Sequence, residues 1–131
     1  MRSKGELKLE SILDSAGALY VTEKTFPDLK GGLFRFDFCL LGYNTPVLIE
    51  YNGEQHYHQI KHFHKQLRDF QRTQEHDRRK ISWALAKGYP LYIIPYWELD
   101  HINSLPDLLS DRFRATSRWH NDREWTKKKD R

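Results

Sequence analysis

The sequence predicts an α/β fold, a mixed β-sheet of about four strands with helices on both faces. Three observations carry this expectation. Leu33 to Tyr57, LFRFDFCLLGYNTPVLIEYNGEQHY, contains two runs rich in Val, Ile, Leu and Phe, separated by the turn residues Gly42, Tyr43, Asn44 and Pro46. Residues 59–87 carry apolar side chains at helical spacing. The wholly apolar Leu91-Tyr92-Ile93-Ile94-Pro95-Tyr96-Trp97 follows them, and a strand–helix–strand succession implies a parallel crossover.

The elements follow in order. Ser3 is placed to cap a first helix, with Glu6 at the capping-box spacing and Leu9, Ile12, Leu13 and Ala16 as its apolar stripe. Gly17 stops that helix. Ala18 to Glu23 reads as a short strand, and Thr25 to Gly32 as a loop. Alternation along the next strand puts Arg35, Asp37 and Cys39 on one side, and Phe34, Phe36, Phe38 and Leu40 on the other. On its partner, Leu48, Glu50 and Asn52 share a side opposite Val47, Ile49 and Tyr51. Asn52-Gly53 is a turn signal. One long helix is expected from Gln59, or from near His62, to Lys87, with Leu67, Phe70, Ile81, Ala84 and Leu85 as its core stripe. Gly88 and Tyr89-Pro90 end it. After the strand of Leu91 to Trp97, a last helix from Glu98 to Phe113 is interrupted near Ser104-Leu105-Pro106 and can pack Leu105, Leu108 and Leu109 on the sheet. Residues 1–113 read as one domain, and 114–131 as a basic tail containing Trp119 and Trp125.

Acidic residues inside these apolar runs carry the functional information. Asp37 and Glu50 each sit within a hydrophobic strand, where an unpaired carboxylate is costly. A hard divalent cation held between them would offset that cost, and oxygen ligation of this kind suits Mg²⁺. Asp77 falls on the buried stripe of the long helix, seven residues after Phe70 and four before Ile81, together with Gln74. A buried Asp needs a partner: a metal-bound water, a histidine, an arginine such as Arg78, or a salt bridge to Arg35. Glu6 is a helix cap, an acid reaching toward the same site, or both. His56 and His58 are open to roles as ligands, general bases or surface residues, and His56, just beyond the acid-bearing strand, fits proton transfer near neutral pH. The histidines between His56 and His76 lack the cysteine partners and the H-E-x-x-H pattern of a zinc site.

The totals set bounds. A chain of 131 residues with 38% hydrophobic, 31% charged and 14% aromatic residues fits a globular domain able to bury a core. One cysteine excludes an internal disulfide and fits a reducing cytosol. No apolar run reaches the roughly 20 residues of a spanning helix, and MRSKGELKLE lacks a signal-peptide core, so a cytoplasmic location is expected. The net charge of +4 is unevenly spread. Arg112 to Arg131 holds eight basic and three acidic residues, and Lys61 to Lys80 seven and three. Lys61, Lys65, Arg68 and Arg72 in the first block, and Arg118 with Trp119 in the second, are the candidate nucleic-acid contacts, through phosphate pairing and base stacking. Such blocks also serve plain solubility.

Gly5-Glu6, Phe36-Asp37-Phe38, Ile49-Glu50-Tyr51-Asn52-Gly53-Glu54-Gln55-His56 and Asp77-Arg78 together resemble the core of the PD-(D/E)XK nuclease superfamily. The resemblance runs over roughly Lys4 to Leu99. It is nearest the branch holding very-short-patch mismatch repair endonucleases and phage-type homing endonucleases with an E…D…x…H…D signature. Ile94-Pro95-Tyr96-Trp97 follows where that branch has its next strand. One position departs: the lysine of the superfamily's E-x-K tripeptide is Asn52.

The resemblance implies a restriction-endonuclease-like core and metal-dependent hydrolysis of DNA phosphodiesters, with an origin in a phage or mobile element. It implies Asp37 and Glu50 as ligands of Mg²⁺, with Mn²⁺ as a substitute, and Glu6, Gln55, His56 and Asp77 as further catalytic residues. Gln55, and more remotely Lys80, are candidates to replace the missing lysine. The implied partner is DNA, without a membrane, and a homodimer or protein partner could supply specificity. Two alternatives stand beside this reading. One is a non-catalytic nucleic-acid-binding module on a nuclease-like fold. The other is a regulatory subunit whose long helix and Tyr96-Trp97 patch bind a protein.

Overall fold

The computed structural model describes residues 2–58, 60 and 66–117. It is an α/β protein with one four-stranded mixed sheet flanked by helices. Helix α1 (Lys4–Ser15) leads into β1 (Tyr20–Thr25), β2 (Arg35–Leu40) and β3 (Val47–Asn52). Helix α2 (Leu67–Lys87) then crosses over to β4 (Leu91–Pro95). The spatial order is β1-β2-β3-β4, with antiparallel pairs β1–β2 and β2–β3 and a parallel β3–β4 pair. The expected crossover is therefore present.

Each face of the sheet carries its own core. On one side, Leu9, Ile12 and Leu13 of α1 pack with Phe38, Leu40, Val47, Ile49, Tyr92 and Ile94, closed by Ile102, Leu108 and Phe113. On the other, Ile81 and Ala84 of α2 pack with Phe36, Cys39, Leu48, Leu91 and Ile93. The two faces of β4 contribute to different cores, which is why that strand is apolar along its length. Burial of this much aliphatic and aromatic surface, at ~25 cal/mol per Å², is the main source of stability.

Helix α1 is capped as its sequence predicts. Ser3 Oγ accepts from the Glu6 backbone N–H at 3.1 Å, and its hydroxyl donates to Glu6 Oε1 at 3.2 Å. Gly5 faces the sheet, and any Cβ there would collide with the Tyr51 ring. That close approach seats the start of α1, and with it Glu6, over the end of β3. Helix α2 ends at Gly88, which adopts φ 74°, the left-handed conformation that glycine enters without a Cβ clash.

Several expectations need correction. Among the described residues helix α2 begins at Leu67, where Gln66 N–H donates to Asp69 Oδ2; of the expected start, Gln59, Lys61 and His62 lie outside the described residues. Its core stripe is Ile81 and Ala84, whereas Leu67 and Leu85 are exposed. The fully buried residues of α2 lie in its C-terminal half, against the sheet, while Phe70 in its first turn is half-buried. The strand expected from Leu91 to Trp97 stops at Pro95, which has no N–H to continue a ladder, and Tyr96–His101 winds into a 3₁₀ turn. No helix spans Glu98 to Phe113. A four-residue α3 (Leu105–Leu108) starts beside Ser104, whose Oγ accepts from Asp107 N–H, and a 3₁₀ turn, Asp111–Phe113, follows. Leu108 is nonetheless buried, with Leu105 and Leu109 packed around the same core. Beyond it, Ala115 N–H donates to Leu91 O at 2.8 Å.

The strict alternation expected along β2 also fails, at Asp37. Phe38 and Leu40 enter the α1 core, while Phe34 and Phe36 enter the α2 core together with Cys39. Paired positions run from Tyr20–Leu40 to Thr25–Arg35 but skip Glu23 and Asp37, and Glu23 has φ 51°. An irregular residue on each strand turns both strands over by one face. Among the described residues, no helix is long and apolar enough to cross a membrane.

Candidate active site

The irregularity at Asp37 creates the site. The β2–β3 ladder covers Phe38–Ile49, Cys39–Leu48 and Leu40–Val47 and stops before Asp37 and Glu50. Backbone donors past that point still need partners, and the two acids provide them reciprocally. Asp37 N–H donates to Glu50 Oε1 at 3.2 Å, and Tyr51 N–H donates to Asp37 Oδ2 at 2.7 Å. The opened ladder thus holds both carboxylates at the mouth between diverging strands.

Helix α2 and the turn after β3 complete the arrangement. Lys80 Nζ donates to Glu50 Oε1 at 2.6 Å, with the lysine side chain 14% and the glutamate side chain 9% exposed. Its ammonium also lies 5.0 Å from the centre of the Phe36 ring. Asn52-Gly53 ends β3 and starts a 3₁₀ turn, Glu54–His56, which carries His56 back over the helix. There His56 Nδ1 lies 2.8 Å from Asp77 Oδ2. The half-buried Asp77 therefore finds a histidine. Arg35 instead pairs with Glu23 at the surface, at 3.2 Å. Glu6, Asp37, Glu50, His56, Asp77 and Lys80 all line one open cleft of about 600 Å³.

The charges in this cleft are coupled. Burial, then the neighbouring Glu50 charge, push the Asp37 carboxyl up to about 8, against the pull of the Tyr51 N–H. Burial raises Glu50 as well, opposed mainly by the charge and hydrogen bond of Lys80. Burial pulls His56 down, but the hydrogen bond and charge of Asp77, helped by Glu50, leave it above its ordinary value. Two carboxyls and an imidazole in one cleft are thereby all held above their ordinary values.

The other expected residues are distributed as follows. Gln55 sits in the turn with its side chain over Gly53 and does not line the cleft. His58 does not line it either. Arg68 and Arg72 are exposed on α2. Lys61, Lys65, Arg118 and Trp119 lie outside the described residues, as does Trp125. Asn52, at the departed lysine position, is buried. Tyr96 and Trp97 are half-buried, with the Tyr57 ring 6.0 Å from Tyr96 and 4.7 Å from Trp97.

Sequence reasoning ranked Lys80 as remote, and the structure puts it in contact with Glu50. Its helical position, three residues after Asp77 on the face turned to the sheet, was the available signal. Phe34, Thr73 and His76, which also line the cleft with the Phe34 and His76 rings 4.6 Å apart, had none.

Among the described residues, no group of three or more His, Cys, Asp or Glu side chains is arranged to hold a metal ion. The donors at hand are two. Oε1 of Glu50 and Oδ2 of Asp37 are engaged within the protein, and Oε2 and Oδ1 take no part in those bonds. A pair of carboxylates fits Mg²⁺, which keeps several waters and is commonly held by one or two carboxylates together with substrate phosphates. Comparison of the chain with family models, with curated proteins and with solved structures yields no match.

Proposed function

We propose that this protein is a metal-dependent endonuclease that hydrolyses DNA phosphodiester bonds, by nicking or by double-strand cleavage. The observation that carries this reading is the convergence of Asp37, Glu50, His56, Asp77 and Lys80 on one open cleft. The order of α1, three antiparallel strands, crossover helix and parallel strand supports it, as does the resemblance to the PD-(D/E)XK superfamily. So does the net charge of +4 with exposed Arg68 and Arg72 on the helix that walls the cleft.

Asp37 and Glu50 would hold Mg²⁺ or Mn²⁺, with a backbone carbonyl near Tyr51 as a further ligand. Such an ion, when bound, polarises a phosphoryl oxygen and lowers the pKa of its water. The protein's own groups do the rest. Asp77 accepts from His56 Nδ1–H, which fixes the imidazole and leaves Nε2 to take a proton from the attacking water or give one to the leaving oxygen. Glu6, at the rim, orients water. Lys80 supplies the amine that Asn52 cannot. The reading places the protein in the cytoplasm, as a phage or mobile-element nuclease, with a second copy or a partner adding specificity.

Substituting Asp37→Ala tests it. Loss of most plasmid cleavage with the fold retained is expected, and full activity in that variant would end the reading. A second reading, a binding module without catalysis, draws on the Lys80–Glu50 pair, which neutralises Glu50 without any metal. Salt-dependent DNA binding with no cleavage in any divalent metal would identify it.

A further inference from the structure

We infer that Lys80 is the resident counter-cation of the Asp37–Glu50 pair, and that a divalent ion entering the cleft displaces its ammonium from Glu50 toward the substrate phosphate. The inference rests on the proposed function and concerns how that site is loaded.

Lys80 Nζ is in hydrogen-bond contact with Glu50 at 2.6 Å, and both side chains are largely desolvated. A pair so placed is held in one geometry, because breaking it without replacement strands a buried charge. The ammonium sits against one oxygen of a carboxylate whose neighbour, Asp37, lies across the same opening. It therefore stands within a few ångströms of any ion that both acids would share. Two cations at that range repel strongly in a partly dehydrated site. Lys80 and a divalent ion accordingly compete for Glu50.

Its surroundings allow the exchange. Lys80 lines the open cleft together with Glu50, and a lysine side chain has rotatable bonds enough to swing. His56, the other basic group near Glu50, is held by Asp77 and does not take its place. Once displaced, the Lys80 amine remains beside the cleft, where a phosphate would lie. The metal-free protein thus keeps its acidic pair neutralised, and loading releases a positive charge for DNA.

Mn²⁺ alone is the probe, titrated into the DNA-free protein by calorimetry or by the paramagnetic resonance of the free ion. Lys80→Met should bind Mn²⁺ about tenfold or more tighter than wild type, because the competing charge is gone. Lys80→Arg, which keeps a cation, should stay within about threefold of wild type. At saturating Mn²⁺, Lys80→Met should nevertheless cut plasmid about 10- to 100-fold more slowly. Should Lys80→Met not fold, Lys80→Gln makes the same comparison, since its amide can still donate to Glu50 without charge. Equal or weaker Mn²⁺ binding in a folded, uncharged variant overturns the inference and leaves the proposed function standing. No Mn²⁺ uptake by any variant, with no cleavage by wild type, overturns both.

Discussion

His56 Nδ1 lies 2.8 Å from Asp77 Oδ2, joining the turn after β3 to the middle of α2. The contact sets the imidazole's orientation and opposes the effect of burial on its charge. Asp77→Asn removes that charge, so His56 should titrate below its wild-type pKa, read from its ring protons by nuclear magnetic resonance. The pair stabilises the fold fully below the ordinary imidazole value of ~6.5, and that contribution is lost as pH rises through the raised folded value. The stability deficit of Asp77→Asn should therefore be largest near pH 5, at about 1–3 kcal/mol, and shrink above neutrality. A deficit independent of pH would contradict this assignment.

Asp37 shifts stability with pH in the same direction, because its folded carboxyl also holds a proton more tightly than the unfolded chain does. Its carboxyl, raised to about 8 by burial and by Glu50, binds a proton in the fold that the unfolded chain has released. Stability of the metal-free protein should then fall as pH rises from ~4 to 8. Asp37→Asn keeps an acceptor for the Tyr51 N–H while removing the charge. It should stabilise the metal-free protein at pH 8 by on the order of 1–3 kcal/mol and have little effect near pH 4, measured by denaturant unfolding. Metal uptake by wild type should release a proton, so Mn²⁺ affinity should strengthen between pH 6 and 8.

Gly5 links the fold to the site. A Cβ at this position meets the Tyr51 ring, so Gly5→Ala must push the start of α1 off β3. Overpacking of this kind costs about 1–3 kcal/mol. Because the same turn carries Glu6 to the cleft, cleavage at temperatures where the variant is folded should also fall. Thermal unfolding and plasmid assays together check this, and an unaffected melting temperature would contradict the packing described.

Arg68 and Arg72 are exposed on the helix that walls the cleft, and neither lines it. Replacing both by Ala should weaken DNA binding and reduce the slope of log affinity against log salt by about 1–2. The cleavage rate at saturating DNA should change little. An unchanged salt slope would move the DNA path elsewhere.

The sequence was most readable where periodicity and chemical discomfort coincided. Asp37 and Glu50 stood out as acids in apolar strands, and Asp77 as an acid on a buried helical face. The structure gathers all three at one cleft. Less visible were features set by what a strand does locally. Pairing skips Glu23 and Asp37, so Phe36 and Phe38 face opposite cores although two residues apart, and simple alternation could not foresee it. The Lys80–Glu50 contact depends on the distance between a helix and a sheet, which spacing along one helix does not encode. The segment after Pro95 misled because its leucines follow helical spacing, although a single four-residue turn suffices to bury Leu108 and pack Leu105 and Leu109 around it.

The proposed function requires the Asp37–Glu50 pair to support metal-dependent DNA cleavage. The most direct measurement is an assay on supercoiled plasmid with Mg²⁺, with Mn²⁺ and with EDTA, for wild type and Glu50→Ala. Wild type should nick or linearise the plasmid in either metal and not in EDTA, and Glu50→Ala should lose about 10²-fold or more. Cleavage that persists in EDTA, or that survives intact in Glu50→Ala, would contradict it.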